Sequence, residues 1–191
     1  MGLTFETSQS LQVIAGVVGF CAYIRLALGI WQNKAEQSFA AFFLWGMLDT
    51  IAMVTIILQG GNFWLALSNV VGSSTIALLL IIKKQVSWSW IETTTSVLVI
   101  ICLTIWYTVG ERAGIISSSL AVVIASVPQM VDTYKNPAAT PLIAYLIFLT
   151  ANILSFTAGH DWSIEERFYA GCSLFLCLVI VLFSRRRKGR E

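Results

Sequence analysis

Residues 113–142 read AGIISSSLAVVIASVPQMVDTYKNPAATPL, an apolar run that meets Pro128-Gln129 late and then gives way to a short polar turn. A proline inside a helix removes a backbone donor and clashes with the preceding turn, so the dipeptide marks a kink with polar backbone left to satisfy. In lipid such backbone persists only where neighbouring helices or a water-lined cavity pair it. A kinked apolar helix of this kind therefore points to a cavity within a bundle, and through it to a solute pathway.

The rest of the chain supplies the lipid setting. Hydrophobic residues make up 57% of its 191 residues and charged ones only 12%, against roughly 25% charged in ordinary soluble domains, and the mean hydropathy is +0.80. These values describe an integral membrane protein whose first partner is the lipid bilayer. Crossing a bilayer core takes about 20 apolar residues per helix, and seven such stretches are present, at about 11–31, 39–58, 63–82, 92–110, 113–134, 141–159 and 166–184. Seven transmembrane helices with short loops form a single all-α membrane domain, 1–191. The start, MGLTFETSQS, lacks the basic segment of a signal peptide and carries Glu6.

Lys and Arg fall unevenly between the two sides. Lys34, Lys83, Lys84, Lys135, Arg185, Arg186, Arg187, Lys188 and Arg190 share one side, Arg112 and Arg167 occupy the other, and Arg25 lies inside a helix. The positive-inside rule then sets the N-terminus outside or in a lumen and the C-terminus in the cytoplasm. The tail SRRRKGRE reads as a topology anchor rather than a nucleic-acid patch, and no nucleic-acid partner is expected. Cys21, Cys102, Cys172 and Cys177 lie within helices without metal spacing and read as small hydrophobes, so neither a metal nor a cofactor is expected.

A shift of 103 residues overlays WQNKAEQSFAAFFLW (31–45) on YKNPAATPLIAYLIF (134–148), and puts Asp49 on Asn152, Asn69 on Cys172 and Lys83 on Arg186. Helices 1–3 (about 11–84) and 5–7 (about 113–187) become two repeats, and helix 4 (about 92–110) is the linker that restores a common orientation. The expected architecture is a 3+1+3 parallel duplication of three-helix bundles.

Pro128-Gln129, the loop Lys135-Asn136-Pro137-Ala138-Ala139-Thr140, the 3+1+3 layout and Asn69-Val70-Val71-Gly72 together resemble the PQ-loop superfamily, which includes SWEET and SemiSWEET sugar transporters and cystinosin-like amino-acid exporters. The resemblance implies a transporter working by alternating access, with Pro128 and Gln129 at a hinge or gate and Asn69 at the substrate. Where the first repeat would carry its own Pro-Gln stands Arg25-Leu26, and that repeat has no proline. Cys172 replaces a second pocket asparagine, and paired pocket tryptophans are missing. The family pattern is thus divergent in the first repeat, which leaves either an asymmetric motion or a non-transporting receptor or scaffold.

Arg25 and Asp49 are the charges set inside helices. Counted from the cytoplasmic ends they lie about six and about ten residues deep, a difference of roughly 6 Å at 1.5 Å per residue. One reading pairs them in a lock between helices 1 and 2, or lets Arg25 snorkel to the interface. The other makes Arg25 a fixed charge for an anionic substrate group and Asp49 the seat of proton coupling. Trp45, Asp49 and Ala52 share a helical stripe, and Phe148, Asn152 and Ser155 share the matching one, both directed at a common cavity. Gln129 either replaces a hydrogen bond lost at Pro128 or lines a gate. Asp132 reads as an interfacial partner of Lys135, His160 as part of a solvated acidic loop, and Trp88 and Trp90 as interfacial anchors.

The leading expectation is a transporter of a small polar solute (sugar, amino acid or small carboxylate), with a homo-oligomer compatible with it. A retinal protein lacks its lysine in the last helix. An enzyme lacks any Ser/His or Cys/His pairing among the helices, so no catalytic residue is expected.

Overall fold

Apolar runs in lipid become helices because the backbone finds no partner except itself. The computed structural model describes residues 5–32, 37, 39–85, 90–137 and 140–186, and among these the regular structure is helical, without strands. The helices are α1 (Phe5–Trp31), α2 (Phe39–Leu58), α3 (Trp64–Ile82), α4 (Trp90–Val109), α5 (Glu111–Ala125), α6 (Val127–Lys135), α7 (Leu142–Thr157) and α8 (Ile164–Ser184). Five segments are long and apolar enough to cross a membrane: α1, α2, α3, α8 and the combined Glu111–Lys135. Thr93–Val109 and Leu142–Thr157 are shorter apolar helices. The chain is accordingly an all-α protein suited to a membrane. Lys34, Trp88, Ala138, Ala139, Arg187, Lys188, Arg190 and the side chain of Asp132 lie outside the described residues.

The apolar run 113–134 differs from expectation in being two helices, parted at Ser126. The ring of Pro128 collides with the carbonyl four residues back, that of Ile124, and disfavours helical backbone at Val127. The break therefore falls just upstream of the proline. Ser126 takes φ −91° and ψ −5°, and its hydroxyl donates to the carbonyl of Val122 at 2.7 Å.

With α5 and α6 taken as one broken helix, successive helices reverse direction. At the end of the bundle where α1 begins, Ser8 meets Ala158 after α7, and Asn62 before α3 meets Glu165 of α8. At the far end Lys83 donates to the carbonyls of Ile30 and Trp31 at 3.0 and 2.9 Å, and Tyr134 packs on Phe183. Arg112 and Arg167 thus sit at the first end, and Lys83, Lys84, Lys135, Arg185 and Arg186 at the far one. Gly110 turns α4 into α5 through φ +111°, a conformation that L side chains resist.

Six helices close a ring in the order α1, α3, α2, α5, α8, α7, with α4 outside against α5 and α2, and α6 on α8. Within the first three helices α3 lies between α1 and α2, and in the later set α8 lies between α5 and α7. Small residues permit the close approaches that drive helix association in lipid. A Cβ on Gly16 would meet the Trp64 carbonyl at 2.8 Å, and one on Gly19 the Ser68 hydroxyl at 2.7 Å.

Candidate functional site

The ring encloses a cavity of about 80 Å³, several times the roughly 10–15 Å³ that one water needs. Every ring helix contributes: Tyr23 from α1, Trp45 and Asp49 from α2, Asn69 and Ser73 from α3, Ser126 beside α5, Phe148 and Asn152 from α7, and Cys177 from α8, joined by Gln129 of α6. Val122, Ser126 and Gln129, spaced i, i+4 and i+7, share one face and bring Ser126 and Gln129 to the lining on either side of the break.

Asp49 is 3% exposed, and its Oδ1 accepts from the Tyr169 hydroxyl at 2.7 Å. Asn69 Nδ2 donates to that same hydroxyl at 2.7 Å. The result is a chain from α3 through α8 to α2, in which Tyr169 receives one hydrogen bond and passes on another. The ion pair among the described residues is Arg112–Glu165 at the first end, so Asp49 lies buried without a cationic partner. Burying a carboxylate in that way is expensive.

Asn152, 2% exposed, spends its Nδ2 on the Phe148 carbonyl at 2.7 Å and on Cys177 Sγ at 3.6 Å. Its Oδ1 is buried with no partner. Tyr23 lays its ring over Gly72, where a Cβ would fall 2.1 Å from the ring, and its hydroxyl lies 3.3 Å from Ser73 Oγ. The other face of the cavity is aromatic: Phe148 meets Tyr23 edge-on at 4.8 Å and Tyr145 at 6.1 Å, and Phe42 meets Trp45 at 5.2 Å.

Beyond Asp49, toward the first end, Ala52, Ile56, Leu65, Ile115, Ala151 and Ala170 pack into an apolar layer. A hydrogen-bonded layer covers it. Gln12 Nε2 donates to Glu166 at 3.0 Å, Asn62 Nδ2 to Ser155 Oγ at 3.1 Å, and Arg112 pairs with Glu165. Gly61 lies so close to α8 that a Cβ would fall 2.4 Å from the Glu165 carbonyl. The cavity thus ends well short of the first end, whereas its lining runs on toward the far end through Leu26, Gln129, Tyr145 and Ile180.

Of the residues singled out in the sequence, Trp45, Asp49, Asn69, Gln129 and Asn152 converge on this cavity. Ala52 belongs to the apolar layer and Ser155 to the contact with Asn62. Pro128 does not line the cavity; it sets the break at Ser126, between the lining residues Val122 and Gln129. Gln129 reaches along α6 to Thr133 Oγ1 at 3.4 Å, not back toward the carbonyl that Pro128 leaves.

Arg25 is a correction. It is exposed on the outside of α1, does not line the cavity, and does not pair with Asp49. Each residue turns about 100° around a helix, so Arg25, two residues beyond the inward Tyr23, lies about 200° away from it. Arg25 and Asp49 thus differ in direction, and of the readings open to Arg25 the outward, snorkelling one fits.

Tyr23, Tyr145 and Tyr169 escaped the sequence reading. Their signal is position: tyrosines of membrane helices gather at the interfaces, and Tyr23 and Tyr169 instead lie inside long apolar helices. No protein-family model matches the chain, and neither the curated proteins nor the solved structures give a significant match to it.

Proposed function

We propose that this chain is a transporter of a small polar solute, of the PQ-loop type, that works by alternating access between two three-helix bundles. The proposed architecture is seven membrane spans in a 3+1+3 parallel duplication, with α4 as linker, the N-terminus outside or lumenal and the C-terminus cytoplasmic. The observation that carries it is the register of the cavity. Six pairs of lining residues stand 103 positions apart: Tyr23 and Ser126, Leu26 and Gln129, Phe42 and Tyr145, Trp45 and Phe148, Asp49 and Asn152, Ser73 and Leu176. A single cavity lined in register by two halves of a chain is what a duplicated transporter with a midplane site requires.

The ring order supports the same reading, since a half-turn that exchanges α1 with α5, α2 with α7 and α3 with α8 leaves it unchanged. Basic residues concentrated at the far end support a cytoplasmic assignment for that end. Asp49 is the candidate for proton coupling. The titratable groups around it are Tyr23, Tyr145 and Cys177 in the lining and Tyr169 hydrogen-bonded behind it, with none from α3, α5 or α6, so a proton taken up at Asp49 has no cation to compete with.

The alternative is a receptor that binds a solute without moving it, and one observation favours it: α1 runs unbroken through the position matching Pro128, so only one bundle carries a break. Counterflow of labelled small solutes in proteoliposomes separates the two. The proposal expects saturable flux that acid stimulates, with the stimulation lost in Asp49→Asn. Tight binding without flux would replace transport by reception.

A further inference from the structure

We infer that the cavity recognises a small solute through a protonated amine, held between Asp49 and Asn152 against an aromatic wall. This inference rests on the cavity being a solute site, as proposed above, and adds the chemistry of the solute.

Hydrogen-bond inventory carries the argument. Around Asp49 and Asn152 the nearest donors are spent on the protein: Tyr169 on Asp49, Asn69 on Tyr169, and Asn152 Nδ2 on Phe148 and Cys177. At these two side chains, what remains unspent accepts. Asn152 Oδ1 is buried and unpartnered, and the protein partner of Asp49 is confined to Oδ1. A ligand that completes this site must bring N–H or O–H groups, and an ammonium brings three with no acceptor.

Charge selects between an amine and an alcohol. Asp49 is the formal charge in the lining, and the bundle puts Arg25 outside. A cation supplies the missing counter-charge, which a polyol does not, and a charge-assisted hydrogen bond is roughly twice as strong as a neutral one. The aromatic wall of Tyr23, Phe42, Trp45, Tyr145 and Phe148 favours a cation over its neutral analogue through the ring faces. A carboxylate-bearing solute would meet an acid and an unpartnered amide oxygen, with no basic residue in the lining to receive it.

Size narrows the class further. The cavity, at about 80 Å³, is about half the roughly 150 Å³ that takes benzene. It suits an amine of a few heavy atoms and is too small for a hexose in this conformation.

The test is thermal unfolding of the purified full-length protein in detergent, titrated with n-propylammonium, 1-propanol, 1,3-propanediol and propionate. Expected is a saturable rise in melting temperature with the amine alone. Asp49→Asn keeps the acceptor for Tyr169 but loses the charge, and should weaken amine binding about tenfold or more. Asn152→Asp should tighten it, which guards against a structural explanation for the first variant. An equal rise with 1-propanol or the diol, a rise with propionate, or an amine effect unchanged in Asp49→Asn overturns the inference. Flux of a neutral or anionic solute without amine binding would sink the inference and spare the transporter. Amine binding without flux would do the reverse.

Discussion

Asp49 shows how a single side chain organises this cavity. Its hydrogen bond to Tyr169, and that of Tyr169 to Asn69, tie three helices at one point. Tyr169→Phe leaves a buried acceptor and a donor without their partner, at a cost of about 1–3 kcal/mol, and should lower the melting temperature as well as solute affinity. Gly72 is a second test. A methyl group there enters the space of the Tyr23 ring, so Gly72→Ala must push that ring into the cavity, destabilise the fold by about 1–3 kcal/mol and reduce solute binding. Double substitution with Tyr23→Ala should recover part of the lost stability. Asp49 was legible in the sequence because an acid in an apolar run stands out, and its partner was not, because Tyr169 lies 120 positions away. Arg25 was misdirected for a different reason. Counting residues from a helix end gives depth, while facing depends on which stripe turns inward. Ala15, Gly19 and Ala22, small residues that suit close contact with another helix, carried that information.

Among the helices, α5 and α6 most clearly join sequence to mechanism. Pro128 acts at a distance of two residues, stopping α5 at Ser126 within a stripe of lining residues that runs from Val122 to Gln129. Pro128→Ala should let the helix run through, stiffen the joint between α5 and α6, and slow flux several-fold with little loss of stability, as read by initial rates beside thermal unfolding. The contact between Gly61 and α8 is the complementary element. Gly61→Ala pushes the Glu165 carbonyl away and weakens the hydrogen-bonded layer at the first end. Hydrogen exchange at Asn62 and at the start of α8 should accelerate in that variant. Most helix extents were legible to within two residues because apolar length sets them, whereas α1 begins at Phe5, about six residues before its apolar run, through a polar turn that apolar length does not mark. The exact break was not, since a proline announces a disruption without fixing which preceding residue absorbs it.

At the scale of the whole molecule the ring of six helices around a cavity with a buried acid is the main result. Its order could not be read from the sequence, because neighbours such as α1 and α7 are distant in the chain and meet through small residues and polar contacts at their ends. The shift of 103 residues, visible in the sequence mostly as a pattern, gains weight from the pairs it brings to one cavity. The central claim is that this cavity opens to each side of the membrane in turn. Its most direct test replaces Cys21, Cys102, Cys172 and Cys177, introduces Ser73→Cys in the lining, and measures labelling by a membrane-impermeant thiol reagent applied to either side of oriented vesicles. Alternating access predicts labelling from both sides, slowed from both by bound solute. Labelling from one side alone, with or without solute, would contradict it.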